Sequence, residues 1–303
     1  MMSDNLRGSL FMILAMVGFG VEDAFFKAAT ATGGVSAGMG TVQFGLSAML
    51  LYAVYARATG VPVWTAAYLR RGLLVRTGFE ITGRLFFALS LAYTPLSTTS
   101  AILQAAPLVV MLGAALVLGE RIGPRRWAAM AVGFVGVLMI VRPSSEGIEA
   151  NAIFAILGMI GFAGRDLATR AAPATVHAVQ LGVLGFAVVT MAGLVILAFE
   201  PGAPRLPDGP AALLLVGTAL CGVCGYTAMT FAMRTGDVGV VAPFRYFRLI
   251  VALVLAYWVF GERPDAMTLA GAGLIVAAGV YSLLRDGRAG AARRSALHAR
   301  DEP

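Results

Sequence analysis

Arg245 and Arg248 stand three residues apart in VAPFRYFRLIVALVLAYWVF (241–260), a stretch otherwise apolar enough for hydrocarbon. That spacing puts both guanidiniums on one helical face. Further ionisable groups lie in similar stretches: Glu22, Asp23 and Lys27; Glu80 and Arg84; Arg165 and Asp166. One charge at a bilayer centre costs roughly 3 kcal/mol on insertion scales, so each needs a partner, water or a ligand. Arginine stays charged and offers a planar fork that fits a carboxylate, sulfonate or phosphate. Arg245 and Arg248 repel one another, so together they point to an anionic group, with Arg84 and Glu80 at similar depth on another helix. Gln43, Tyr93, Gln104, Tyr226 and Tyr246 are polar groups able to line the same substrate cavity. Glu22 and Glu80 are candidates for a coupling proton, because low dielectric disfavours a charged carboxyl. Glu22, Asp23, Arg165 and Asp166 are candidates for coupling or gating. A competing explanation is structural: Glu80–Arg84, Asp23–Lys27 and Asp166–Arg170 are each four residues apart and could lock the bundle as ion pairs. Five intramembrane bases face four acids, which tilts the expected ligand towards an anion or zwitterion.

The elements that must hold these groups are membrane helices. The chain has 303 residues, 59% of them hydrophobic and 13% charged, against about 25% charged in soluble domains. Ten apolar runs approach the length of about 20 residues needed to span hydrocarbon: 8–29, 36–56, 73–93, 97–118, 127–141, 151–169, 176–199, 210–233, 238–260 and 266–284. The fifth is the shortest. Glu22, Asp23 and Lys27 in the first run mark a retained helix and not a signal peptide. Pro107 and Pro243 fall inside the fourth and ninth runs, where each removes a backbone hydrogen bond. The net charge of +7 resides mainly in loops and tail, as membrane orientation requires, and does not imply nucleic-acid binding. Cys221 and Cys224 form a C-x-x-C inside the eighth run, but no further ligand accompanies them, and small-residue packing is the expectation. No cofactor or metal is expected. Protease and transferase motifs are not visible, which leaves a channel as the main rival to a carrier.

The two halves repeat. FMILAMVGFGVEDAFFKAA (11–29) aligns without gaps on FAILGMIGFAGRDLATRAA (154–172), matching Gly18 with Gly161, Phe19 with Phe162 and Asp23 with Asp166. LVLGER (116–121) matches WVFGER (258–263). Each half holds five helices, and an odd number inverts the second half in the membrane, a signature of secondary transporters with a midplane site. Fifteen arginines fall in segments on the N-terminal side of the membrane, and three (Arg142, Arg205 and Arg263) fall on the other. The positive-inside rule then puts both termini in the cytoplasm.

Two five-helix halves, each with a GER loop before its last helix, resemble the drug/metabolite transporter superfamily, EamA type. The resemblance covers residues 8–284. It implies an all-α membrane protein of ten transmembrane helices built from two inverted five-helix repeats, 8–142 and 150–284. The tail beyond it, 285–303, is polar and is expected to be disordered and cytoplasmic. The resemblance also implies a small-molecule carrier, not an enzyme, in the bacterial inner membrane; a homodimer stays open. Substrate identity, direction and coupling ion are left open by the resemblance.

Overall fold

Backbone in hydrocarbon must satisfy its own hydrogen bonds, and this chain does so with helices. The computed structural model describes residues 4–117, 119, 123–142, 151–171, 176–201, 206–235 and 238–281. Ten helical spans occur among them: α1 Asp4–Lys27, α2 Ala37–Ala58, α3 Arg71–Tyr93, α4 Leu96–Val117, α5 Pro124–Val141, α6 Ala152–Ala171, α7 Ala178–Phe199, α8 Gly209–Thr235, α9 238–260 and α10 Ala266–Tyr281. Each lies within a few residues of its expected run. The fifth gains a turn at its start, where Pro124 occupies the first helical position, a place that needs no N–H. The loop 202–205, the first GER pair Glu120–Arg121 and the tail 282–303 lie outside the described residues.

Six helices are long and apolar enough to cross a membrane, and Trp127–Val141 and Ala266–Tyr281 are shorter apolar ones. The two left are α3 and α6, whose sequences hold Arg76, Glu80, Arg84, Arg165 and Asp166. The chain is an all-α membrane protein. One expectation needs correction: Arg76, one of the fifteen arginines assigned to segments on the N-terminal side of the membrane, is 8% exposed and lies inside the bundle.

The packing is two-fold. α1 lies along α8 as α6 lies along α3, α1 meets α9 as α6 meets α4, and α2 lies against α7. Replacing each helix by the one five positions on maps this set onto itself. Glycines make the approaches possible. A Cβ on Gly18 would stand 3.1 Å from the Cα of Gly225 on α8, and one on its repeat-mate Gly161 would stand 2.5 Å from the Cα of Gly83 on α3. Where α5 crosses α10 the contact is reciprocal: a Cβ on Gly136 or on Gly271 would lie 2.6 Å from the other's carbonyl oxygen. Small residues allow such contact where lipid offers no hydrophobic drive between helices.

Two helices break within their spans. In α4 the regular helix stops at Leu103 and resumes at Ala106. Pro107 has no N–H for the Leu103 carbonyl, so the turn between them tightens; Gln104 N bonds Ala101 O and Ala105 N bonds Ile102 O. In α9, Ala242–Tyr246 winds as a 3₁₀ turn containing Pro243 before the α-helix Phe247–Phe260.

Candidate functional site

The breaks in α4 and α9 border a central cavity of about 180 Å³. Six helices line it: α1, α3 and α4 from the first half, and their counterparts α6, α8 and α9. Met16 and Phe19 come from α1, Arg84 and Phe87 from α3, and Gln104 and Pro107 from α4. Phe162, Arg165 and Asp166 come from α6, Tyr226 and Met229 from α8, and Arg245, Tyr246 and Arg248 from α9. The floor is apolar and aromatic, with convergent charge set into it.

The cations differ in what they already hold. Arg248 is bound to Asp23 of α1 by three contacts: Nε–Oδ2 2.9 Å, Nη2–Oδ1 2.7 Å and Nη2–Oδ2 2.6 Å. Its guanidinium also lies over the rings of Phe19 and Phe87, 5.3 and 5.4 Å from their centroids, an added cation–π attraction. Arg165 bonds Asp166 at 2.8–2.9 Å and lies 3.5 Å from Glu80. Glu80 is also 2.8 Å from Arg76, one turn back. Arg245 reaches only the sulfur of Met229, at 3.7 Å, and makes no ion pair among the described residues. Arg84 stacks over Phe162 at 5.5 Å, while its buried Nε has no hydrogen-bond partner.

The four-residue pairings expected from sequence are therefore replaced. Glu80 takes Arg76 and Arg165 and not Arg84. Asp23 takes Arg248 and not Lys27. The side chain of Arg170 lies outside the described residues, so the Asp166–Arg170 pair is not tested. Arg248, expected to hold a substrate anion with Arg245, already has a carboxylate from the protein.

Of the other expected substrate residues, Gln104 lines the cavity and ties α4 to α9 by donating to the Arg245 carbonyl at 3.3 Å. Tyr226 lines it too, packed edge-on to Tyr52 and Phe186. Tyr246 lines it with its ring. Its hydroxyl is buried without a hydrogen-bond partner and packs where a Cβ on Gly279 would collide with it. Gln43 lines none of the cavities described, and Tyr93 sits 56% exposed at the end of α3.

A second cavity of about 20 Å³ is lined by Glu22, Asp23, Thr41, Phe44 and Arg84 among others. Arg84 borders both cavities. Beyond it the bundle is closed by a polar knot. Lys27 Nζ donates to the Thr94 carbonyl at 2.8 Å, caps the end of α3, and lies 3.9 Å from Glu262. Glu262, the acid of the second GER motif, accepts from Leu96 N at 2.8 Å, Ser97 N at 3.0 Å and Ser97 Oγ at 2.7 Å. Its charge thus sits at the start of α4, where helix N–H groups lack partners. In the same loop, outside the membrane, the exposed Arg142–Asp265 ion pair holds the Asp265 carboxyl well below the usual carboxylate range, helped by Thr268 N.

Residues 6–142 and 150–284 match the profile of the EamA-like transporter family. A riboflavin transporter of Rhizobium johnstonii is 28% identical, covering 93% of this chain and 92% of its own. A pseudopaline exporter of Pseudomonas aeruginosa is 28% identical over 92% and 96%, and an S-adenosylmethionine uptake transporter of Rickettsia prowazekii is 26% identical over 70% and 69%. One crystal structure, 20% identical, matches with a TM-score of 0.58 over 89% of this chain and 96% of its own, which bears on the fold alone.

Proposed function

Because the chain belongs to the EamA-like transporter family, we propose that it moves a small organic metabolite bearing an anionic group across the bacterial inner membrane by alternating access between its two halves. Relatives named for riboflavin, S-adenosylmethionine and pseudopaline support metabolite transport as the class. The observation that carries the anion is that Arg84 and Arg245 both line the central cavity with no carboxylate bound to either among the described residues. Asp166, whose side chain is 34% exposed, offers an ammonium a place beside them, so a zwitterion fits as well. Phe19, Phe87, Phe162 and Met229 provide apolar and aromatic surface for the rest of the molecule. The site does this by binding and release, with no catalytic step. The halves 8–142 and 150–284 are the moving units, with both termini cytoplasmic.

A thermal-stability screen of the purified protein tests the class, since a ligand that binds the folded state raises its melting temperature. The panel includes riboflavin, S-adenosylmethionine, amino acids and aromatic carboxylates. Stabilisation by anions and zwitterions, lost in Arg84→Gln and Arg245→Gln, is expected; stabilisation that survives both variants sinks the anion site. Saturable uptake with counterflow in liposomes separates a carrier from a channel. Gly123→Cys and Pro264→Cys should label from opposite sides of the membrane; labelling from one side overturns the inverted topology.

A further inference from the structure

Among the described residues four acids lie inside the helix bundle, away from the helix ends, and three have a cation against them: Asp23 has Arg248, Glu80 has Arg76 and Arg165, and Asp166 has Arg165. Glu22 differs. It is 4% exposed and faces the small cavity of about 20 Å³, yet among the described residues it makes no ion pair and accepts no hydrogen bond. The groups around it cannot serve it as they stand. Arg248 is committed to Asp23. Thr41 spends its hydroxyl proton on the Ala37 carbonyl at 2.7 Å. Asp23 on its own helix and Cys221 on α8 are the other titratable neighbours, and neither brings positive charge. Phe44 of α2 and Gly222 of α8 close the remaining sides. That leaves Arg84, whose Nε lacks an acceptor and whose side chain borders Glu22's cavity on one side and the central cavity on the other. A buried carboxylate without a donor is strongly disfavoured, so Glu22 has two satisfactory states: ionised against Arg84, or protonated.

We propose that Glu22 and Arg84 form a two-position switch that couples a proton to the substrate. With no anion in the central cavity, Arg84, which borders Glu22's cavity without touching its carboxyl in this structure, turns to pair with Glu22. When an anionic group occupies Arg84 from the cavity side, Glu22 loses its counter-ion and takes a proton from the water that the cavity faces. Anion and proton bind together and leave together, so the two travel in the same direction. Every charge removed from Arg84's company is replaced by one, and the site keeps its net charge through the cycle.

This inference rests on the central cavity being an anion site. Benzoate serves as the probe, because it joins a carboxylate to one flat ring and stays ionised above about pH 6. Binding to the purified full-length protein is read by saturation-transfer NMR, and proton uptake is read with an indicator dye in weakly buffered solution. Wild type should take up about one proton per benzoate bound, with affinity falling by up to about tenfold per pH unit as pH rises, as linkage of one proton to one ligand requires. Glu22→Gln should bind benzoate with no proton uptake and a flat pH profile. Arg84→Gln should lose at least tenfold in affinity. Wild type that binds benzoate without taking up a proton overturns the switch and leaves the anion site standing. Undiminished uptake in Glu22→Gln also overturns it. No benzoate binding in wild type removes the anion site itself and the switch with it. The wild-type proton count decides the matter even if a variant fails to fold.

Discussion

Asp23 and Asp166 occupy the same place in the two repeats and have opposite fates. Asp23 is 1% exposed and gripped by Arg248 from a different helix. Asp166 has a side chain 34% exposed, lines the central cavity and, among the described residues, is held within hydrogen-bond distance by its chain neighbour Arg165 alone. The cause lies in their opposing helices. α9 contributes Arg248 to Asp23, whereas the matching α4, Leu96–Val117, contains no charged residue at all. The bundle is therefore drawn together at the level of Asp23, and closed further by Lys27, Thr94 and Glu262, while at the level of Asp166 it encloses space. Matching scaffolds hold unmatched charges, and the inequality decides which end of the cavity is sealed.

The sharpest way to break this comparison is Asp23→Asn. Leaving Arg248 buried without its partner should cost about 3–5 kcal/mol, read as a fall in melting temperature, and Asp23→Asn/Arg248→Gln should recover part of it. Asp166→Asn should cost about 1 kcal/mol or less, as partly exposed pairs do; equal losses at the two sites would dissolve the contrast. Next comes the pair of arginines. Arg245→Gln should leave the ligand-free melting temperature unchanged and weaken anion binding by about 1.5–3 kcal/mol, or roughly ten- to more than a hundredfold. Arg248→Gln should instead lower stability, because it strands Asp23. Normal affinity in Arg245→Gln would remove it from the site. A smaller effect is expected from Glu262→Gln, which weakens the cap on α4 by about 1–2 kcal/mol. It should also make a cysteine at Thr41 react faster with a membrane-impermeant thiol reagent from that side; unchanged labelling would mean the knot is no seal. The smallest effect belongs to Asp265→Asn. The carboxyl's depressed proton affinity adds stability above its unfolded titration and loses it only as pH falls through the lower folded value. Because the pair is exposed and solvent screens it, that contribution is small, and the variant should melt only slightly below wild type at neutral pH, with the difference vanishing in acid.

The ten spans were readable because long apolar runs broken by Gly and Pro leave little else for a chain to be. The repeat was readable from Gly18, Phe19 and Asp23 recurring at Gly161, Phe162 and Asp166. The ion pairs were not. Local spacing offered Lys27 to Asp23, but Arg248, 225 positions away, makes the contact. Spacing offered Arg84 to Glu80, but Arg76 sits four residues on the other side and nothing in the sequence ranks the two. Arg76 itself looked aqueous because it lies near the start of its run. Phe87 carries no signal among other apolar residues, whereas the recurrence of Phe19 at Phe162, both lining the cavity, is one that the sequence displays. GER marked a family without disclosing its work, since the helix that Glu262 caps begins 166 positions earlier.

The crossing of α5 and α10 has a further consequence. Gly136 meets Gly271 as Gly271 meets Gly136, with Ile275 and Leu274 on one side answered by Ile140 and Met139 on the other. A patch that meets its own likeness is the geometry of a two-fold dimer, here carried within one polypeptide. Each substitution on α5 thus confronts a surface shaped by the same rule, and improvement on one helix is limited by what its twin can receive. The two copies are free to diverge around the cavity, as Arg248 and uncharged α4 have done, but at this crossing they remain bound to resemble one another.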